Sequence, residues 1–159
     1  MQKPLKCMVV VRIRGLSDFS QEVKDTLMML RLTRSCHATL LDNRPAYNGM
    51  LRKSKDCITW GEVSKETIAL LLKKRGRLVG DKKLTDEYAQ ELGYETLDVL
   101  AEAIYNVDVE FNSLPDLKPL FRLRPPTKGF KGKVKRSFVS GGELGYRGEA
   151  INDLLQRMM

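Results

Sequence analysis

Apolar and polar positions first fall into a pattern between Cys7 and Arg14. An apolar run there ends in alternation, with Val9, Val11 and Ile13 on one face and Val10, Arg12 and Arg14 on the other. A period of two is the mark of a strand. Val23, Leu27 and Leu30 then recur at helical spacing behind Ser20, a capping residue, and predict a helix from Gln21 to about Leu32 whose apolar side covers the sheet. His37 to Leu41 reads as a second short strand closed by Asp42-Asn43-Arg44, and Pro45 suits the first turn of a helix running to about Lys53. Cys57-Ile58-Thr59-Trp60 is a third strand. This order predicts an α+β fold, with a split β-α-β-α-β (ferredoxin-like) core over residues 1–62.

A helical extension is expected over 63–113. Ser64 can cap a helix carrying Ile68, Leu71 and Leu72, with Gly76 placed to end it, and Thr85 and Thr96 open two shorter helices separated by Gly93. Residues 114–159 are expected to form a basic arm interrupted by Gly and Pro, then a C-terminal helix with Ile151, Leu154, Leu155 and Met158 on one face.

Charge adds a partner to this outline. The 159 residues carry 28 Lys and Arg against 20 Asp and Glu, a net +8 that favours a polyanion over an acidic small molecule. It is unevenly placed: residues 1–60 and 121–159 each carry +6, whereas 61–120 carry −4. Cys7, Cys36 and Cys57 form no CxxC pair, so they read as packing residues in a reducing compartment and not as a disulfide or zinc framework. The start, Met1-Gln2-Lys3 followed by a short run broken by Arg12 and Arg14, is too short and too charged for a signal peptide or membrane span. The expectation is a soluble cytoplasmic protein with no membrane partner.

From Leu117 to Gly142 there is no acidic residue, while Lys118, Arg122, Arg124, Lys128, Lys131, Lys133, Lys135 and Arg136 are all present. Phe121-Arg122-Leu123-Arg124 alternates as a strand, with both arginines on one face. Beyond Pro125-Pro126, residues 127–136 hold too little apolar surface to fold unaided and need an anion to settle against. A solvated mobile loop is the plain alternative. Nucleic acid is favoured because glycines let backbone approach phosphate, Phe130 and the arginines can stack on unpaired bases, and a second cluster stands at Arg44, Arg52, Lys53 and Lys55, with Arg12 and Arg14 on the first strand. Tyr47 is a further stacking or packing candidate, and Arg147 a further phosphate candidate.

Catalytic sets are poor. Cys36 and His37 are adjacent, and neighbours on a strand point to opposite faces, so they do not make a nucleophile and its base. Gly141-Gly142-Glu143-Leu144-Gly145 lacks the GxxxxGK[ST] pattern of a phosphate loop and is expected to be a flexible turn.

Several of these stretches together resemble one family. Pro45-Ala46, Gly49-Met50-Leu51 and Lys53, then Thr59-Trp60-Gly61-Glu62-Val63, then Phe121-Arg122-Leu123-Arg124-Pro125-Pro126, and finally Gly141 to Gly148 with Ile151-Asn152, are similar to motifs of the large-subunit ribosomal protein L-thirty family (L-seven in eukaryotes), in its archaeal form. The resemblance is to the form of the family without the long lysine-rich extension that eukaryotic members carry ahead of the first strand. The resemblance implies a structural constituent of the large ribosomal subunit with no enzymatic activity, cofactor or small-molecule substrate. Its partners would be large-subunit rRNA, a nearby 5S rRNA and neighbouring ribosomal proteins, with the basic arm reaching into RNA. A small nucleic-acid enzyme and an RNA-binding regulator outside the ribosome are the competing readings.

Overall fold

The computed structural model describes residues 4–159, and the expectations that touch residues 1–3 lie outside it. Three strands form where the apolar pattern places them: β1 (Cys7–Arg12), β2 (His37–Asp42) and β3 (Ile58–Glu62). β1 lies between the other two and is antiparallel to both, so β2 and β3 run parallel with a strand between them. That is the split βαβ arrangement. The connecting helices are α1 (Gln21–Met29) and α2 (Pro45–Lys53).

α1 stops at Met29, short of Leu32, because Arg31 turns to φ 66° and the Leu32 amide donates back to Leu27 O at 2.9 Å. This is a Schellman closure with arginine in the place usually held by glycine. Leu27, Leu30 and Leu51 pack with Met8 and Val10 on one face of the sheet. Cys7, Val9 and Val11 face the other way and are also buried. A strand covered on both faces explains the continuous apolar run at its start.

The second face is covered by α3 (Lys65–Arg75), α4 (Asp86–Glu91), α5 (Leu97–Tyr105) and the C-terminal α6 (Ile151–Met158). Ser64 and Thr96 cap through their hydroxyls, which accept from the amides of Thr67 at 3.2 Å and Val99 at 3.4 Å, whereas Thr85 makes no side-chain cap. One apolar cluster draws on all three expected segments, joining Val9 and Leu40 to Ile68 and Leu100 and to Phe121 and Ile151. The helical extension is thus the cover of the sheet's second face. Phe111 stacks on Phe121 with ring centroids 5.0 Å apart.

Three more strands complete the order β4-β2-β1-β3-β6-β5: β4 (Phe121–Arg122), β5 (Lys133–Ser137) and β6 (Gly142–Tyr146). Two of them depart from the sequence reading. The glycine-rich segment expected to be a flexible turn is largely a strand, parallel to β3 through Thr59 opposite Gly145 and Trp60 opposite Tyr146. The arm expected to stay unsettled without an anion contains β5, paired to β6. Two local features hold it. A Cβ on Gly142 would lie 2.0 Å from Arg136 O, so only glycine lets the strands approach there, and the Gly132 amide donates to Glu143 Oε1 at 2.8 Å.

Candidate nucleic-acid interface

Strand directions give the sheet two chemically different ends. β1 finishes where β2, β3 and β6 begin, and β4, antiparallel to β2, finishes there too. The six residues of β1 or β2 place the opposite end about 20 Å away.

The first end has an excess of bases, although Arg14, Lys53 and Arg122 are each paired there with a carboxylate, of Asp18, Glu22 and Asp81. Arg14 follows β1, Lys55 precedes β3, and Arg52 and Lys53 occupy the last turn of α2, which leads into β3. Arg122 and Arg124 stand at the finish of β4, exposed, while Phe121 and Leu123 turn inward as their alternation predicts. The arm joins them. Thr59 lies opposite Gly145, so Gly142 stands level with the residues just before β3, and Lys133 pairs with Gly142. Lys131, Lys133, Lys135 and Arg136 are exposed along that stretch, and Lys128 is exposed in the turn before it. The turn is fixed to the end of α6: the amides of Arg124 and Thr127 donate to Met158 O and Arg157 O at 3.0 and 2.9 Å, and Arg157 Nη1 donates to Gly129 O at 2.9 Å.

Four residues of the expected set are placed differently. Arg12 is buried, with Nε donating to Arg14 O at 2.9 Å and Nη1 to Leu32 O at 3.1 Å. Arg147 is buried against Glu143 at 2.6 Å, donates from Nε to Thr59 Oγ1 at 2.8 Å, and lies 5.0 Å over the Phe138 ring. Both guanidiniums are taken up inside the fold and leave the exposed set. Arg44 and Tyr47 sit at the far end, where α2 begins. Arg44 is paired with Asp42 and Glu110 and lies 5.0 Å over the Tyr47 ring, and the hydrogen bonds that it donates to these two carboxylates push its guanidinium above the usual range. Phe130, offered to a base by the sequence reading, packs partly against the core.

Sequence reasoning passed over one part of the basic end. Arg34 is exposed in the turn before β2, and it lines a cleft of about 340 Å³ with Thr33, His37, Leu120 and Arg122. The signal was present, since residues 26–41 contain no acid. At the far end the charges are mixed, with Asp42, Glu62, Glu110 and Glu149 near Lys6 and Arg44. There Tyr146 donates its hydroxyl to Glu62, which raises the phenol to about 12.

The cysteines behave as packing groups. Burial pushes Cys7 up to about 12 and Cys57 up to about 11, and it raises Cys36 as well. Among the described residues no three His, Cys, Asp or Glu side chains are grouped to hold a metal. No helix there is long and apolar enough to cross a membrane.

A covered split βαβ sheet with exposed bases gathered at one end and on an acid-free arm has the chemistry of a polyanion-binding module. Residues 8–58 match the family model described as Ribosomal protein L30p/L7e. The chain is 52% identical over 153 residues to the large ribosomal subunit protein uL30 of Methanosphaera stadtmanae, which covers 94% of this chain and 98% of the relative. It is 45% identical to the protein of that name from Thermofilum pendens (95% and 97% covered) and 49% identical to that from Archaeoglobus fulgidus (94% and 97% covered). The chain therefore belongs to the L30p/L7e family of ribosomal proteins, structural constituents of the large subunit and not enzymes.

Proposed function

We propose that this protein binds and stabilises large-subunit rRNA within the ribosome, close to 5S rRNA, through the basic end of its sheet and the arm at residues 127–136. The observation that carries the reading is the convergence of two stretches distant in sequence. Lys53 and Lys55 beside β3, and Lys131, Lys133 and Arg136 beside β6, stand at the same sheet end without an intervening acid on the arm. Lysines and arginines there neutralise phosphates, and Gly129, whose missing side chain faces open space, allows backbone to lie close to a folded RNA surface.

The three segments divide the work on this reading. The core (1–62) supplies the α2 and Arg14 contacts, the helical segment (63–113) braces the sheet, and the last segment (114–159) supplies the arm and the helix that anchors it. The acidic middle faces water or a basic neighbouring protein. Sedimentation after a high-salt wash provides the test. The protein should remain with large subunits and crosslink from its arm to rRNA, with 5S rRNA among the crosslinked species. Recovery only among free proteins would overturn the ribosomal placement, and crosslinks confined to proteins would overturn RNA binding.

A further inference from the structure

The cleft at the start of β2 contains the chain's one histidine. His37 is 9% exposed, and its Nδ1 lies 3.4 Å from Thr33 Oγ1, while Nε2 has no hydrogen-bond partner among the described residues. Every charged group that acts on the ring is a cation. Arg12 comes from β1, Arg34 from the preceding turn and Arg122 from β4, directly opposite His37 in the strand pairing. Arg34 has no ion-pair partner among the described residues, and Arg122 has only Asp81, at 3.4 Å, a carboxylate already engaged by Lys118. A cleft of about 340 Å³ lined by Thr33, Arg34, His37 and Arg122, with Leu120 as its apolar wall, is large enough for a tetrahedral oxyanion and its water.

From this juxtaposition the geometry points to a proton-linked oxyanion seat formed by Thr33, Arg34, His37 and Arg122, which takes one phosphate group and acquires a proton on His37 as it does so. The inference deepens the RNA-binding reading by assigning one phosphodiester to a particular cleft, and it rests on that reading only for the source of the phosphate. Burial first, then the charges of Arg122, Arg34 and Arg12, hold the imidazole below its ordinary value, so in the free protein it is neutral at pH 7. An anion among the three cations offsets their charge at the ring and so raises the proton affinity of the imidazole. It accepts from Arg34 and Arg122, and from a protonated imidazole donating through Nε2, which shifts His37 toward its protonated form relative to the free protein. Binding therefore takes up a proton and strengthens as pH falls through the histidine range.

A single histidine makes the test direct, because the ring proton signals in an NMR titration have one source. Sulfate is the first probe, since its charge is constant from pH 5 to 8. Saturating sulfate should raise the His37 titration midpoint. The affinity ratio between low and high pH should be about tenfold for each pH unit by which the bound midpoint exceeds the free one. Arg34→Gln and Arg122→Gln, both at exposed positions, should each weaken the response severalfold, whereas the distant Lys65→Gln should leave it intact.

A short rRNA fragment is the second probe, and it should move the same signals and displace sulfate. If sulfate raises the midpoint but bound RNA does not, the seat takes a free anion and the assignment to RNA is overturned. If RNA binds and neither probe moves His37, the cleft is no seat at all while RNA binding stands. If sulfate moves His37 and RNA fails to bind anywhere, the functional reading fails and the oxyanion seat remains.

Discussion

The side chains of Glu143 and Arg147 are five per cent exposed or less, and between them they join four pieces of the fold. Glu143 accepts from Arg147 Nη2 at 2.6 Å and from the Gly132 amide at 2.8 Å, and Arg147 reaches Thr59 of β3 at 2.8 Å and covers Phe138 beyond β5. Burial pushes the Glu143 carboxyl up, but the Arg147 hydrogen bond, the Gly132 amide and the charges of Arg147 and Arg157 outweigh it and the net direction is down from 4.5. A depressed carboxylate contributes stability that is present above its unfolded value and lost as pH falls through the folded one. Glu143→Gln should thus destabilise the protein by about 3–5 kcal/mol at pH 7, since it leaves a buried guanidinium uncompensated. The deficit should shrink as the pH falls from the ordinary carboxyl value of the unfolded chain through the lower folded one, as the wild-type carboxylate takes up its own proton. Denaturant unfolding at pH 7 and pH 3.5 reads both, and an equal deficit at the two pH values would contradict the linkage. Charge alone cannot disclose this pair in the sequence. Arg12 and Arg147 count as surface bases by composition, and only their partners, Leu32 O and Glu143, reveal that they are internal.

Among the elements, those with a clear period were legible and those built from glycine and lysine were not. β1, α3, α5 and α6 follow from apolar spacing because each buries a continuous stripe, α2 follows from Pro45 at its first turn, and Phe121 and Leu123 follow from alternation. β6 was hidden because Gly142 and Gly145 have poor strand preference, and β5 because Lys133, Lys135 and Arg136 give it almost no apolar face. What makes these strands is local fit that no periodicity records. Arg136 O fills the space of the missing Gly142 side chain, and Gly148 O would lie 1.9 Å from a Cβ on Gly61. Gly142→Ala should cost about 1–3 kcal/mol through this overpacking, and the damage should be local. Hydrogen exchange should rise sharply over residues 132–137, while the amides of β1, buried between two strands, keep their protection. Uniform loss of protection across the sheet would mean that β5 and β6 belong to the central cooperative unit and are not an attached pair.

For the molecule as a whole, net charge matters less than where the strand directions put it. Sequence counting located two basic flanks and an acidic middle, and register was needed to show that Lys55 and the arm share one end while Arg44 belongs to the other. The binding account therefore stands or falls on location, and two variants of equal charge separate location from total. Lys128, Lys131, Lys133, Lys135 and Arg136 are exposed and give the core no apolar contact, so changing all five to Ser should barely alter the melting temperature. Its RNA affinity should drop sharply, and the slope of log affinity against log salt should become shallower by roughly the number of phosphate contacts removed. Replacing Lys65, Lys73, Lys74, Lys82 and Lys83 by Ser lowers net charge by the same five but takes the bases from the helical cover, where Lys65 and Lys73 pair with Glu102 and Asp98. Wild type should lose roughly 10³ to 10⁵ in affinity between 50 and 200 mM salt if it makes about 6 to 10 phosphate contacts, and the control variant should keep that slope. Equal loss of RNA affinity in the two variants would reduce the interface to total charge. Unfolding of the arm variant would instead place β5 within the core, and the sheet's basic end would then owe its shape to the side chains assigned here to RNA.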